Sequence, residues 1–210
     1  MDTSVSILIP AWNEEKIIKK TIKWLNKLNL PFNYSEIIFI AGGDDKTYET
    51  CKNLKLTNFN STITIKQESS DFKTGALIKG IIKAKGKIIT LIDADVFVAP
   101  NLVEEIAKSL KKFDVVCCNY IPMMNKGFWR NYYTLRKEIW SNNPNKLKSL
   151  IGGATISLNS TIFDEISIKD FFSNKTTAGV DYYMGLVLKN IIKKLDLSRI
   201  LEFLCQDLIT

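Results

Sequence analysis

Two hydrophobic periods alternate along the first half of the chain. Residues 5–9 and 36–40 are short apolar runs. Residues 61–65 alternate apolar with polar, the period of a half-exposed strand. The run 87–92 is apolar around Thr90, as in a parallel strand buried on both faces. Between these runs the period changes. Ile17, Ile18, Thr21, Ile22, Leu25 and Leu28 recur at helical spacing and give one apolar face. Ala76, Leu77, Gly80, Ile81 and Ala84 repeat the pattern, and Pro100 opens a third helix over 101–112. Val115, Val116, Cys117 and Cys118 read as a further buried strand. Strands alternating with helices predict an α/β fold, a mostly parallel central sheet flanked by helices.

In such a sheet a ligand sits beyond the carboxyl ends of the strands. Those ends carry distinctive residues here. The first strand runs into Pro10-Ala11-Trp12-Asn13-Glu14-Glu15, the second into Ala41-Gly42-Gly43-Asp44-Asp45, and the fourth into Asp93-Ala94-Asp95. In an extended strand Asp93 and Asp95 point the same way and Ala94 the other. Paired carboxylates repel unless a cation lies between them or one is protonated. Hard oxygen ligands suit Mg²⁺ or Mn²⁺, which combine one or two carboxylates with substrate phosphates. An isolated Asp-x-Asp before a proline also serves as a turn or helix cap; its place after the fourth strand favours the metal. Asn13 is placed to cap the first helix, with Glu14 and Glu15 at its positive end. Trp12 and the loop backbone around it can also hold a nucleotide base. The Ala41-Gly42-Gly43 stretch permits close approach of backbone to a ligand, and a tight turn explains it equally well.

Composition narrows the chemistry. A length of 210 residues suits one domain, and an apolar content of 46% makes it globular. With no histidine, Ser-His-Asp and Cys-His catalysis are excluded. The four cysteines lack CxxC spacing, which argues against zinc and for reduced core thiols in a cytoplasmic protein. No apolar run approaches the roughly 18–20 residues of a membrane-spanning helix, and no basic n-region opens the chain. The net charge of +7 comes from scattered lysines, the pattern of a solvated surface. The acidic strand ends would repel a phosphate backbone, and no nucleic-acid-binding signature is present.

Several segments taken together carry a family resemblance. Residues 6–15 (SILIPAWNEE) resemble the opening of family 2 glycosyltransferases of the GT-A fold, and 88–95 (IITLIDAD) resemble their DxD strand. Lys73-Thr74-Gly75-Ala76-Leu77, with Gly80, Ala84, Lys85 and Gly86, resembles the family's GKxxAL segment. Residues 152–158 (GGATISL) resemble its acceptor-side stretch, and 179–186 (GVDYYMGL) its Glu-Asp helix. The matches keep family order across roughly residues 4–190. The resemblance implies one GT-A domain over 1–210, with a nucleotide-sugar half at 1–100 and an acceptor half at 101–210. It implies an inverting, metal-dependent transfer from a UDP- or GDP-sugar. Asp95 would coordinate the metal, and Asp93 would face the ribose and the metal's water shell. Pro10, Ala11, Trp12 and Glu14 would line the nucleotide pocket, with Gly43 and Asp44 beside them. Lys73 would neutralise phosphate, and Asp181 would be the catalytic base.

The chain also departs from the family pattern. Ala41 and Gly42 stand where an aspartate often reads the base, leaving Asp44 as its substitute. Val180 replaces the usual glutamate before Asp181, and no QxxRW motif follows; Gln206 leads into Asp207-Leu208-Ile209-Thr210. These departures suit an alternative, a degenerate GT-A protein that binds nucleotide or a partner without turnover. A nucleotidyltransferase lacks its glycine-rich basic loop here, because 10–15 is acidic instead. The aromatic and basic stretch 126–140 carries a stripe of Phe128, Tyr132, Leu135 and Ile139. It reads either as a core helix or as a peripheral membrane contact, the latter favouring a lipid-linked acceptor over a soluble glycan.

Overall fold

The structure, a computed structural model, describes residues 2–54, 56–118, 127–128, 131–132, 134–135, 154–172 and 202–204. The first half alternates as its periodicity predicts. Strand β1 (Ser4–Trp12) leads to helix α1 (Glu15–Leu25), β2 (Tyr34–Gly42) to α2 (Thr47–Lys52), and β3 (Ser61–Lys66) through a 3-10 turn (Ser69–Asp71) to α3 (Phe72–Lys83). Then β4 (Ile88–Ile92) is followed by α4 (Leu102–Ser109) and β5 (Val115–Cys118). Beyond them lie β6 (Thr155–Asn159), two single-turn helices α5 (Ile162–Glu165) and α6 (Ile168–Phe171), and β7 (Glu202–Leu204).

The described strands make one sheet in the order β3-β2-β1-β4-β6-β5-β7. Leu8 stands beside Ile38 on one side and Leu91 on the other, both in parallel pairing. The exception to parallel pairing is β6, which runs antiparallel to both neighbours and sets Ile156 against Leu91 and Cys117. The sheet is therefore mostly parallel.

Strand alternation divides the core into two faces. Ile7, Ile9, Ile37 and Phe39 pack on one side with Ile18, Ile22 and Leu25 of α1 and Val103 and Ile106 of α4. Leu8, Ile38 and Ile40 pack on the other with Ala76, Leu77 and Ile81 of α3 and Phe171 of α6. Each such buried aliphatic side chain contributes about 1.5–3 kcal/mol, so the sheet's interior positions hold the fold. On α1 the lysines 16, 19, 20 and 23 are exposed, as is Lys27 just beyond it, a solvated face as the spacing predicts. Cys51, Cys117 and Cys118 are buried thiols outside any disulfide among the described residues. Burial pushes Cys51 and Cys118 up to about 12, with the nearby Asp45 charge adding to the effect at Cys51, so both are protonated and inert at neutral pH.

Candidate active site at the carboxyl edge of the sheet

The loops after β1 and β2 are built as one unit. Asn13 adopts φ 58 and Gly43 φ 117, both in the left-handed region. The Asn13 amide donates to the Gly42 carbonyl at 3.2 Å, and its side-chain Oδ1 accepts from the Asp44 amide at 2.7 Å. Asn13 thus serves the neighbouring loop instead of capping α1. The cap comes from further along the chain. The Glu14 amide donates to Thr47 Oγ1 at 2.7 Å and the Glu15 amide to Asp45 Oδ2 at 3.0 Å. Burial pulls the Asp45 carboxyl upward, but bonds from the Thr47 hydroxyl and from the Glu15 and Thr47 amides outweigh it and hold the group below its ordinary value. Asp45 is therefore an ionised structural cap. Asp44 is exposed, and neither it nor Gly43 lies on the cavity wall described below.

After β4 the chain turns sooner than an extended strand would. The Asp93 amide donates to the Ala154 carbonyl at 3.0 Å, adding one rung of pairing beyond Ile92. Ala94 and Asp95 then form a turn, with the Val96 amide donating to the Asp93 carbonyl at 3.1 Å. Strand alternation therefore does not set the two carboxylates; the turn does, and both still reach the same cavity. The turn is pinned from α1, where the Thr21 hydroxyl donates to the Ala94 carbonyl at 2.5 Å. That contact explains a polar residue in the buried stripe of α1.

The third side comes from the segment joining β3 to α3. Glu68 and Asp71 make reciprocal capping bonds around the 3-10 turn, and Lys79 Nζ lies 2.5 Å from Asp71. Phe72 follows with φ 50, an unusual conformation for a bulky residue, and is half exposed. Lys73 Nζ then lies 2.6 Å from Asp93 Oδ1.

These three loops enclose a cavity of about 560 Å³ lined by Pro10, Ala11, Trp12, Glu14, Gln67, Ser69, Phe72, Lys73, Asp93, Ala94 and Asp95. Pro10, Ala11, Trp12 and Glu14 at the end of β1, Lys73 in the first turn of α3, and Asp93 and Asp95 after β4 all line it. Gln67, Ser69 and Phe72 escaped the sequence reading, although Gln67 directly follows β3 and the other two lie in the segment leading from it into α3. Asp181 lies outside the described residues, as does most of 126–140.

The cavity is short of positive charge. Burial raises the Glu14 carboxyl above its ordinary value, and the charges of Asp95, Asp45 and Asp93 raise it further. Lys73 is paired with Asp93, while Asp95 makes no hydrogen bond or ion pair among the described residues. Among those residues there is no cluster of three metal-ligating side chains. Two carboxylates with substrate phosphates are a sufficient ligand set for Mg²⁺ or Mn²⁺, so Asp93 and Asp95 fit a divalent ion carried with a phosphorylated ligand.

Residues 6–163 match the family described as glycosyl transferase family 2. A dolichyl-phosphate beta-glucosyltransferase of Dictyostelium discoideum is 32% identical over 126 residues, covering 54% of this chain and 38% of that protein. A processive diacylglycerol beta-glycosyltransferase of Mycoplasma genitalium is 28% identical over 169 residues, covering 70% of this chain and 47% of the relative. The chain thus spans less than half the length of these relatives. Among solved structures, the mannosyltransferase PcManGT from Pyrobaculum calidifontis, in complex with GDP-Man and Mn²⁺, superposes with TM-score 0.73 at 15% identity, over 100% of this chain and 56% of that one. S. aureus TarS superposes with TM-score 0.69 at 13% identity, over 100% of this chain and 36% of that one. The sheet order, the acidic turn after β4 and the family match agree: this chain belongs to glycosyl transferase family 2 and has the GT-A fold.

Proposed function

We propose that the chain transfers a sugar from a UDP- or GDP-sugar to a lipid-linked or glycan acceptor, with inversion and with a divalent cation. The observation that carries this reading is the crowding of Glu14, Asp93 and Asp95 around one cavity with Lys73 as the cation facing it. A carboxylate-rich wall repels a naked diphosphate but welcomes one that arrives with a metal. Asp93 and Asp95 would hold Mg²⁺ or Mn²⁺, which when bound supplies positive charge for the departing diphosphate. Lys73 exchanges its contact with Asp93 for one with phosphate. Pro10, Ala11, Trp12 and Glu14 wall the nucleoside. Gly43 and Asp44, off the cavity wall, receive no donor contact in this reading.

The acceptor oxygen attacks the anomeric carbon as the bond from that carbon to the diphosphate oxygen breaks. The hydroxyl proton passes to Asp181 as base. A lipid-phosphate acceptor is already ionised and needs no such base. Residues 1–100 form the donor half in this scheme and 101–210 the acceptor half.

The names of the relatives from Dictyostelium and Mycoplasma support a lipid acceptor. So does the exposure of Phe128, Tyr132 and Leu135, which would let 126–140 meet a membrane surface. No helix among the described residues is long and apolar enough to cross a membrane.

The test is calorimetric titration of UDP-glucose, UDP-N-acetylglucosamine and GDP-mannose with and without Mn²⁺, followed by transfer assays on dolichyl phosphate and diacylglycerol. Metal-dependent binding of one donor and inverted product are expected. Binding without transfer to any acceptor would favour a degenerate protein, the second reading, which Val180 and Gly42 suit. Absence of donor binding by folded protein overturns the donor site.

A further inference from the structure

Gln67 directly follows β3 on the cavity wall and is only 5% exposed. Its terminal amide has one fixed contact, from Nε2 to the Phe72 carbonyl at 3.2 Å. A carbonyl oxygen only accepts, so the NH₂ end must face Phe72 and the oxygen must face elsewhere. That oxygen, Oε1, is buried and has no hydrogen-bond partner among the described residues. A buried acceptor left unpaired is costly, and native structures leave few without a reason.

The surroundings say what kind of donor belongs there. Trp12 and Phe72 lie on the same cavity wall and are 36% and 48% exposed. Exposed aromatic rings beside a fixed acceptor suit a flat heterocycle that carries a ring N–H. The end of β2 offers no competing polar side chain. A Cβ at Gly42 would overlap the Gln67 carbonyl oxygen and lie 2.8 Å from Trp12 Cζ3. The main chain of Gln67 and the indole of Trp12 therefore exclude an acidic side chain from that position.

We propose that Gln67 selects the base of the donor. Oε1 accepts from the ring N–H of uracil or guanine and disfavours cytosine and adenine, which present a lone pair at the corresponding nitrogen. Trp12 and Phe72 supply the stacking surface. Phe72 holds its left-handed conformation with its carbonyl bonded to the Gln67 amide, so the acceptor and one stacking residue are oriented by a single contact. This assignment rests on the donor-site reading above and adds to it the residue that sets base choice.

The test measures dissociation constants of UDP, CDP, GDP and ADP with Mn²⁺, for the full chain and for Gln67→Met and Gln67→Leu. Thermal unfolding checks that each variant is folded. The parent chain is expected to prefer UDP over CDP, or GDP over ADP, by about tenfold or more, the size of one well-placed hydrogen bond. The pair that shows the preference tells uracil from guanine. In Gln67→Met the preference should shrink to about twofold or less because the favoured nucleotide weakens by about tenfold while its counterpart holds. Equal binding of UDP with CDP and of GDP with ADP by the parent chain overturns the assignment, whether or not the variants fold. A preference retained in folded Gln67→Met or Gln67→Leu overturns it too and leaves the donor site standing. Failure of every nucleotide to bind the folded parent chain removes the donor site and this assignment together.

Discussion

The two ends of the sheet treat their carboxylates in opposite ways. Near the start of β2, Glu36 is fully buried and surrounded by donors. The Ser6 hydroxyl and the Lys85 amide each reach Oε1 at 2.6 Å, and the Tyr34 hydroxyl reaches Oε2 at 3.0 Å. Ser6 in turn accepts from the Gly86 amide at 2.7 Å, so one carboxylate ties β1, β2 and the turn before β4 together. At the opposite end, Asp95 is exposed and makes no hydrogen bond among the described residues, and Glu14 is raised by its own burial and by three neighbouring carboxylates. The same chemical group serves structure where the fold supplies its donors. Where the fold withholds them, the lone pairs are left for a cation or a ligand.

The sharpest way to break this contrast is Glu36→Ala. It removes the acceptor shared by three donors, of which the Ser6 hydroxyl is buried and the other two partly so, and should cost about 2–4 kcal/mol of stability in urea unfolding. Donor affinity of the fraction that stays folded should be unchanged; a stability loss below about 0.5 kcal/mol would show the network to be idle. Asp95→Ala should do the reverse, weakening Mn²⁺-dependent donor binding by about 100-fold in calorimetry with no loss of stability. Lys73→Met removes the cation paired with Asp93. Donor binding should fall by about tenfold, and the half-exposed ion pair should cost less than about 1 kcal/mol of stability.

The smallest effect belongs to Glu14. Its carboxyl is raised in the fold, so the protonated form is favoured by folding. The stability this gives is fully present below the ordinary, unfolded value and is lost as pH rises through the folded value. Glu14→Gln should therefore stabilise the chain at pH 7 by a few tenths of a kcal/mol, about what solvent screening leaves. The gain should vanish below about pH 4, where the parent's glutamate is protonated in both states. Urea midpoints at the two pH values decide it, and a gain of equal size at both would sink the electrostatic explanation.

Local pattern carried much of the fold. The apolar run of β1, the helical stripe of α1 and the buried run of β4 each declare themselves within about ten residues, because burial follows the period of the element. Strand ends then pointed to Pro10, Trp12, Glu14, Asp93 and Asp95. The β3 end was equally legible by that rule, but Gln67, Ser69 and Phe72 carry no acidic or glycine signature, so composition hid them. Asn13 looked like the cap of α1, yet the cap is Asp45, thirty residues on. A capping residue is recognised in sequence only when it is local.

The sequence by itself determined where β1 to β5 and helices α1, α3 and α4 lie, which of their faces are buried, and that acidic residues gather at strand ends. Those properties follow from periodicity and strand direction alone. Only the tertiary structure decided that β6 enters antiparallel between β4 and β5, that a turn brings Asp93 and Asp95 to one cavity, and that Gln67, a lining residue of that cavity, is left with a buried oxygen unpaired among the described residues. These depend on which strands become neighbours, a choice made by packing among residues far apart in the chain.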